Sequence, residues 1–385
     1  MTTTTAPGAS AAARRRLADA LTSGGALAPG SPWYEAFASV PREVFAPEFT
    51  VSGPGGRRGF APGDPGYLDA VYTDTTLITR RDGGGTATSS SSQPSLMARM
   101  LEAFAVPDGA RVLEIGTGTG YNTALLCHRL GADRVTTIDV EPELTATARE
   151  RLTESGNAPL VITGDGTAGY AEVAPYDGIL ATCGVNRIPT AWLHQVRPGG
   201  IIVTNTGNGI AVLTVDEEGN ADGGFLPGDA VFMRARPGVG HITPTASQFT
   251  ELLLGGDGRS RTVDLPATDD TAAFLTAVVH ATAHEIWMVQ PDVVAMTLVG
   301  ADNGLDIYGL VHPPTASWAR ITPGHGARAT VVHGGPRDLW SPRLALTTQW
   351  IAAGRPGPGP YTLSITATGG HTLRRTGTSP ATWTL

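Results

Sequence analysis

The chain has 385 residues, with 27 basic and 35 acidic side chains and a formal charge of −8. An acidic balance argues against a general nucleic-acid or membrane-surface binder, though it leaves room for a local basic groove. Every basic residue is an arginine, so a Schiff-base lysine, a pyridoxal-phosphate lysine and a P-loop lysine are all excluded.

Length provides for two domains, or one large one, with a real core. Cys127 and Cys183 lie far apart and in no CxxC pattern, which fits free thiols in a reducing cytoplasm. No apolar run reaches the ~20 residues of a membrane span. Residues 1–16 read as a frayed tail entering a helix, without the apolar core of a signal peptide.

In chain order, helical patterns cover 14–21 and 31–40, a Gly/Pro-rich connection follows over 54–66, and a strand is expected over 67–76. Residues 80–93, with Gly83-Gly84-Gly85 and Ser89-Ser90-Ser91-Ser92, have the composition of a flexible linker, although their place directly before a helix argues otherwise. Pro94 suits the first turn of a helix with an apolar stripe through Leu96, Met97, Met100, Leu101 and Phe104.

Strands and helices then alternate: strands at 111–115, 134–139, 160–163, 176–182 and 200–204, helices at 121–130, 142–156 and 190–196. That alternation predicts a parallel sheet covered on both faces. Residues 211–216 and 229–236 are expected to pair antiparallel. Beyond a boundary placed at Pro237–Gly238 come a helix at 269–285, strands at 286–299, 305–311 and 327–333, a helix at 339–353 and a strand at 361–368.

The strongest local signal is the run Val112-Leu113-Glu114-Ile115-Gly116-Thr117-Gly118-Thr119-Gly120. A strand enters glycines that open a helix, so a ligand can approach bare backbone and its free N–H groups. The spacing lacks the third glycine position of dinucleotide binders. Asp139 ends the second strand, where a carboxylate can accept both hydroxyls of a ribose. Asp165, between Gly164 and Gly166, can accept from an adenine amino group, and Glu114 can face an amino-acid ammonium. Together they describe an amino-acid nucleoside without pyrophosphate, S-adenosylmethionine. The expected cofactor-binding set is Glu114, Gly116, Thr117, Gly118, Gly120, Asn122, Asp139, Val140, Asp165 and Gly166.

From these residues onward the chain resembles the protein L-isoaspartate O-methyltransferase family over residues 15–236. The resemblance rests on Val40-Pro41-Arg42-Glu43-Val44-Phe45-Ala46-Pro47, the glycine loop, Gly164-Asp165-Gly166, Tyr176-Asp177-Gly178-Ile179-Leu180, Ile188-Pro189-Thr190-Ala191-Trp192-Leu193, Arg197-Pro198-Gly199-Gly200 and Val231-Phe232-Met233, in the family's order.

It implies an α/β fold with a Rossmann-like class I methyltransferase core over 31–237, after an N-terminal tail and helix at 1–30, with a C-terminal α+β accessory extension at 238–385. It also implies esterification of side-chain or isoaspartyl carboxylates. Where the family carries a GQTIS-type loop, this chain has Thr88-Ser89-Ser90-Ser91-Ser92-Gln93-Pro94, so Ser90 matches the threonine and Ser92 the active-site serine. The catalytic residues expected are Ser92, Ser91 and Ser90, orienting a carboxylate that needs no general base, since its pKa lies near ~4.

Usual members of the family end near residue 236. The extended form with a Ser-rich loop is similar to methyltransferases of lanthipeptide and related ribosomal-peptide pathways. That likeness implies a modified precursor peptide as partner, with an aspartate methylated and then closing through a succinimide to isoaspartate. Repair of isoaspartyl residues in damaged proteins is the alternative, and an inactive cofactor-binding scaffold is a third reading. No NPPY-type motif or basic stripe points to nucleic acid. His280 and His284 are four apart on an expected helix but lack a third ligand, so no metal is expected, and the tryptophans at 287, 318, 340 and 350 read as core.

Overall fold

The structure, a computed structural model, describes residues 7–53, 56–236, 238, 249–299, 306–377 and 379–385. Helices α1 (Pro7–Ser23), α2 (Tyr34–Ser39) and α3 (Arg42–Phe45) come first. Ala13, Leu17 and Leu21, spaced by four, bury one face of α1. Residues 1–6, the start of the expected tail, lie outside the described residues.

Strands β1 (Phe49–Gly53) and β2 (Gly56–Phe60), helix α4 (Tyr67–Val71), and strands β3 (Leu77–Arg81) and β4 (Ala87–Ser91) follow. The strands form an antiparallel sheet in the order β2-β1-β3-β4. The strand expected over 67–76 is corrected to α4. Gly66 enters a left-handed conformation (φ +78°), and Tyr67 and Val71, four apart, turn into the core together.

The Gly/Ser-rich segment is a hairpin and not a linker. Asp82 closes its turn, accepting from the N–H groups of Gly84 (3.0 Å) and Thr86 (2.8 Å), and β4 pairs with β3 from Leu77↔Ser91 onward.

Helix α5 (Pro94–Ala103) buries Met97, Ala98, Met100 and Leu101 as its stripe predicts. Then come β5 (Val112–Ile115), α6 (Tyr121–Leu130), β6 (Val135–Asp139), α7 (Pro142–Glu154), β7 (Leu160–Thr163), β8 (Tyr176–Val185), α8 (Thr190–Gln195) and β9 (Val196–Thr206). The five strands are parallel in the order β7-β6-β5-β8-β9. All four residues of β5 are buried, as expected of a central strand covered by helices on both faces.

Strands β10 (Gly209–Val215) and β11 (Ala221–Phe225) continue the sheet antiparallel. The expected partner of 211–216 is corrected from 229–236 to β11. Asp216 accepts from the N–H groups of Glu218 (3.0 Å) and Asn220 (2.8 Å), and the tight turn it closes returns the chain at Ala221. Residues 229–236 run along the sheet with one parallel bridge, Gly184↔Arg234.

The rest comprises α9 (Thr250–Gly255), β12 (Arg259–Asp264), α10 (Thr271–Val279), α11 (His284–Val289), β13 (Val294–Leu298), β14 (Ile307–His312), β15 (Ser317–Pro323), β16 (Arg328–Gly334), α12 (Trp340–Ala352), β17 (Tyr361–Ile365), β18 (His371–Arg375) and β19 (Ala381–Thr384). The expected helix at 269–285 is split into α10 and α11, and Ile286 lies in helix α11, not strand; Leu305 lies outside the described residues.

Strands β12 to β16 form a separate antiparallel sheet, β12-β16-β15-β14-β13, with Leu275, Tyr308, Ile321, Val331 and Trp340 in its core. The C-terminal segment is nevertheless not one unit. Strand β17 pairs with β11 at Leu363↔Gly223, and β18 and β19 follow, extending the sheet begun by β5 to β9 to ten strands. A cut at residue 237, which itself lies outside the described residues, would therefore divide a continuous sheet. Among the described residues no helix is long and apolar enough to cross a membrane.

Candidate active site

A cavity opens at the carboxyl ends of β5, β6 and β8, where the strand order reverses. This switch point is where open parallel sheets bind ligands. Gly116 adopts φ +94°, and a Cβ there would stand 3.0 Å from Thr182 Oγ1, which donates to the Gly116 carbonyl (2.7 Å). A Cβ on Gly166 would come within 2.5 Å of the Ile115 side chain. At both positions only glycine leaves the pocket wall its shape.

Of the residues expected to bind the cofactor, Gly116, Thr117, Gly118, Asn122, Asp139, Val140 and Gly166 line the cavity. Asp139 Oδ2 accepts from the Gly118 N–H (2.9 Å) and Oδ1 from the Glu141 N–H (3.2 Å), while burial raises its pKa. Gly120 instead caps α6 and packs against Phe45 and Ala148.

Two expected contacts are relocated. Glu114 is fully buried and does not line the cavity. Oε1 accepts from Asn122 Nδ2 (2.7 Å), and Oε2 from Thr137 Oγ1 (2.7 Å) and from Thr123. Burial outweighs these three donors and pushes the carboxyl up to about 7. Asp165 also stands outside the lining, because its Oδ1 caps the short turn Gly166–Ala168 through the Thr167 N–H (2.8 Å) and hydroxyl (2.7 Å).

The residues present fit an amino-acid nucleoside. Asn122, its amide held by Glu114, keeps Oδ1 buried and unpartnered among the described residues, an acceptor suited to an ammonium. Asp139 supplies a carboxylate, and Gly116 and Gly118 bare backbone.

The strand period divides the serine run. Ser89 and Ser91 are each 2% exposed and turn inward, Ser89 to Thr79 Oγ1 (3.1 Å) and Ser91 to Arg42 Nε (3.2 Å). All four serines border the cavity; Ser90 and Ser92 face the other way and are less buried, and their hydroxyls have no hydrogen-bond partner among the described residues. The Ser91 hydroxyl, expected in the catalytic set, is thus taken up by Arg42, unlike those of Ser90 and Ser92.

Thr88 lies on the same face as Ser90 and Ser92 and also lines the cavity; alternation along β4 is the signal that could have found it. Arg234 and Arg236 at the rim were not anticipated either. Arg236 binds Glu141 (2.6 Å), and Arg234 binds Asp292 (3.1 Å), which also accepts from Asn186 (2.8 Å). Cys183 lines the cavity, but burial pushes its thiol up to about 12, so it is no nucleophile. His280, just past α10, is exposed and bonds Thr297 Oγ1 (2.8 Å), whereas His284 is buried at the start of α11 against Asn208 (2.8 Å).

Sheet order, glycine loop and the Asp139 carboxylate together define a class I S-adenosylmethionine-dependent methyltransferase. Residues 56–222 match the family model of Protein-L-isoaspartate(D-aspartate) O-methyltransferase. A protein-L-isoaspartate O-methyltransferase of Ignicoccus hospitalis is 39% identical over 171 residues, covering 44% of this chain and 70% of the relative. Protein-L-isoaspartate O-methyltransferase 1 of Anaeromyxobacter sp. is 42% identical over 153 residues, covering 39% and 71%. The chain belongs to the protein-L-isoaspartate O-methyltransferase family. A solved structure titled protein-L-isoaspartate O-methyltransferase shares the fold over 94% of this chain and 98% of its own, with TM-score 0.53 and 23% identity. The C-terminal segment thus has a structural counterpart in a solved chain of that title.

Proposed function

We propose that the chain methylates the free carboxylate of isoaspartyl residues in polypeptides, the repair reading. The observation that carries it is the pair Ser90 and Ser92: two unpartnered hydroxyls in β4 and one residue beyond its end, beside the glycine loop, in a chain of this family.

S-adenosylmethionine, when bound, supplies the methyl group from its sulfonium. Gly116, Gly118, Asn122 and Asp139 would hold the cofactor, and Ser90 and Ser92 would donate to the carboxylate oxygen that does not react, leaving the other free to attack. The carboxylate is ionised at neutral pH, so no side chain need remove a proton. Attack of an anion on a cation cancels charge, and an apolar wall favours it; Ile78, Leu96 and Met97 provide one. The protein's task is chiefly orientation. The ester then leaves as methanol when the following backbone nitrogen attacks, and the succinimide that forms can open to normal aspartate.

A second reading is favoured by one observation, Thr88 to Ser92 in place of the family's GQTIS-type loop. In it the substrate is a normal aspartate of a modified, lanthipeptide-like precursor, carried through the same imide to isoaspartate. The C-terminal sheet, held at the cavity rim through Asp292, suits recognition of either polypeptide. The free thiols Cys127 and Cys183 suit a reducing compartment. Methyl transfer to paired peptides differing only in aspartate or isoaspartate separates the readings: transfer to isoaspartate alone supports repair, and transfer to aspartate alone supports tailoring.

A further inference from the structure

A charge with no part in the chemistry above lies behind the strand that carries Ser90 and Ser92. Arg42, the first residue of α3, is fully buried. Its Nη1 donates to the carbonyls of Val71 (2.8 Å) and Thr73 (3.2 Å). Its Nη2 donates to those of Thr75 (3.0 Å), Ser91 (3.3 Å) and Ser92 (3.0 Å), and Nε to Ser91 Oγ (3.2 Å). The guanidinium also stands 5.8 Å over the ring of Tyr121, at the start of the helix opened by the glycine loop.

All six acceptors are neutral, and among the described residues no carboxylate forms an ion pair with Arg42. Asp74 is the one carboxylate whose field acts on it appreciably. A buried guanidinium is costly even when hydrogen-bonded, and an apolar side chain would fill a core with less penalty. Core stability alone therefore gives no reason for this residue. The acceptors do: they belong to two segments, 71–75 leading into β3 and 91–92 ending β4, which frame the hydroxyl face. A planar fork with five N–H groups can fasten both at once, and an ammonium could not.

We propose that Arg42 is a positioning residue for the substrate carboxylate. It fixes the end of β4 so that Ser90 and Ser92 face the cavity, and its unpaired positive charge draws the anion to them. The inference rests on the reading that these hydroxyls receive a carboxylate.

The test compares the full-length wild type with Arg42→Lys, Arg42→Met and Ser91→Ala. The readouts are S-adenosylmethionine Kd, kcat and KM for whichever of the paired peptides the wild type accepts, and hydrogen exchange at residues 89–92 and 112–120. Arg42→Lys should lower kcat/KM for peptide about 10- to 100-fold, the scale of charged hydrogen bonds, with cofactor Kd within about twofold. Amides at 89–92 should exchange faster while those at 112–120 stay protected. Arg42→Met should add a rise in KM that Arg42→Lys lacks, because only it loses the charge. Ser91→Ala, which removes one bond of six, should give a smaller loss.

Protection and peptide kinetics like wild type in Arg42→Lys would overturn the proposal, and so would equal losses of cofactor and peptide affinity, the mark of a merely structural residue. If Arg42→Met does not fold, Arg42→Lys and Ser91→Ala still decide. A wild type inactive on both peptides defeats the substrate reading by itself, and exchange at 89–92 then decides whether Arg42 fixes the strand.

Discussion

The Glu114 carboxylate takes the side-chain amide of Asn122 at 2.7 Å, from a position with no exposed surface, and so turns Asn122 toward the cavity. The acidic residue ahead of the glycine loop thus shapes the cavity wall through a neighbour.

Its burial has a pH signature. Glu114 has a folded pKa of about 7, above the ordinary 4.5. Between those values the folded chain holds a proton that the unfolded chain has lost. This group's contribution to stability is therefore complete below about pH 4.5 and lost as pH rises through about 7. Relative to Glu114→Gln, wild-type stability should fall across that window by about 1.4 kcal/mol per pH unit. Denaturant midpoints against pH for the two proteins measure it, and parallel curves would mean that Glu114 is ionised throughout.

Asp139 fastens the glycine loop through the Gly118 N–H and lines the cavity with the same carboxylate. Asp139→Ala should weaken S-adenosylmethionine binding about 10- to 100-fold, the scale for loss of a charged hydrogen bond. Calorimetric titration reads it directly; a Kd within error of wild type would remove Asp139 from the cofactor site.

Alternation along β4 makes a contrast within one run of serines. Ser90→Ala and Ser92→Ala should each lower kcat/KM for peptide about 10-fold, with cofactor Kd unchanged. Equal activity in the Ser92→Ala variant would end its assigned role.

Glu285 in α11 meets Arg375 in β18 at 2.6 Å, with side chains 0% and 4% exposed, and also accepts from Tyr361. Removing one partner strands the other charge in the core, so Glu285→Ala should cost about 3–5 kcal/mol. Unfolding by urea measures the loss, and a change below about 1 kcal/mol, typical of exposed pairs, would mean the pair is wet. Because β17 to β19 complete the sheet, a chain cut after Arg236 should expose the edge of β11 and aggregate. A soluble, monomeric fragment in a sedimentation run would contradict that.

The nucleotide half of the site was legible because its signals are local. An apolar strand enters glycines, and Asp139 ends the next strand. The hairpin of β3 and β4 was not, because what orders its serines is distant: Arg42 lies 49 residues from Ser91. The return of β17 to β11 depends on pairing Leu363 with Gly223 across an intervening sheet, which no local periodicity encodes. Glu114 and Asp165 stand out in the sequence as acids, but spacing cannot tell a carboxylate facing a ligand from one facing donors of its own chain. The structure places both among protein donors.

The most direct measurement is intact-mass analysis of paired peptides, one with aspartate and one with isoaspartate, after incubation with the full chain and S-adenosylmethionine. The account predicts one added methyl on the isoaspartyl peptide, followed by its loss as methanol when the imide closes, and neither change with Ser90 and Ser92 both replaced by alanine. Methylation of the aspartyl peptide alone would contradict the repair reading and transfer the site to peptide tailoring. No methyl on either peptide would contradict the carboxylate assignment itself.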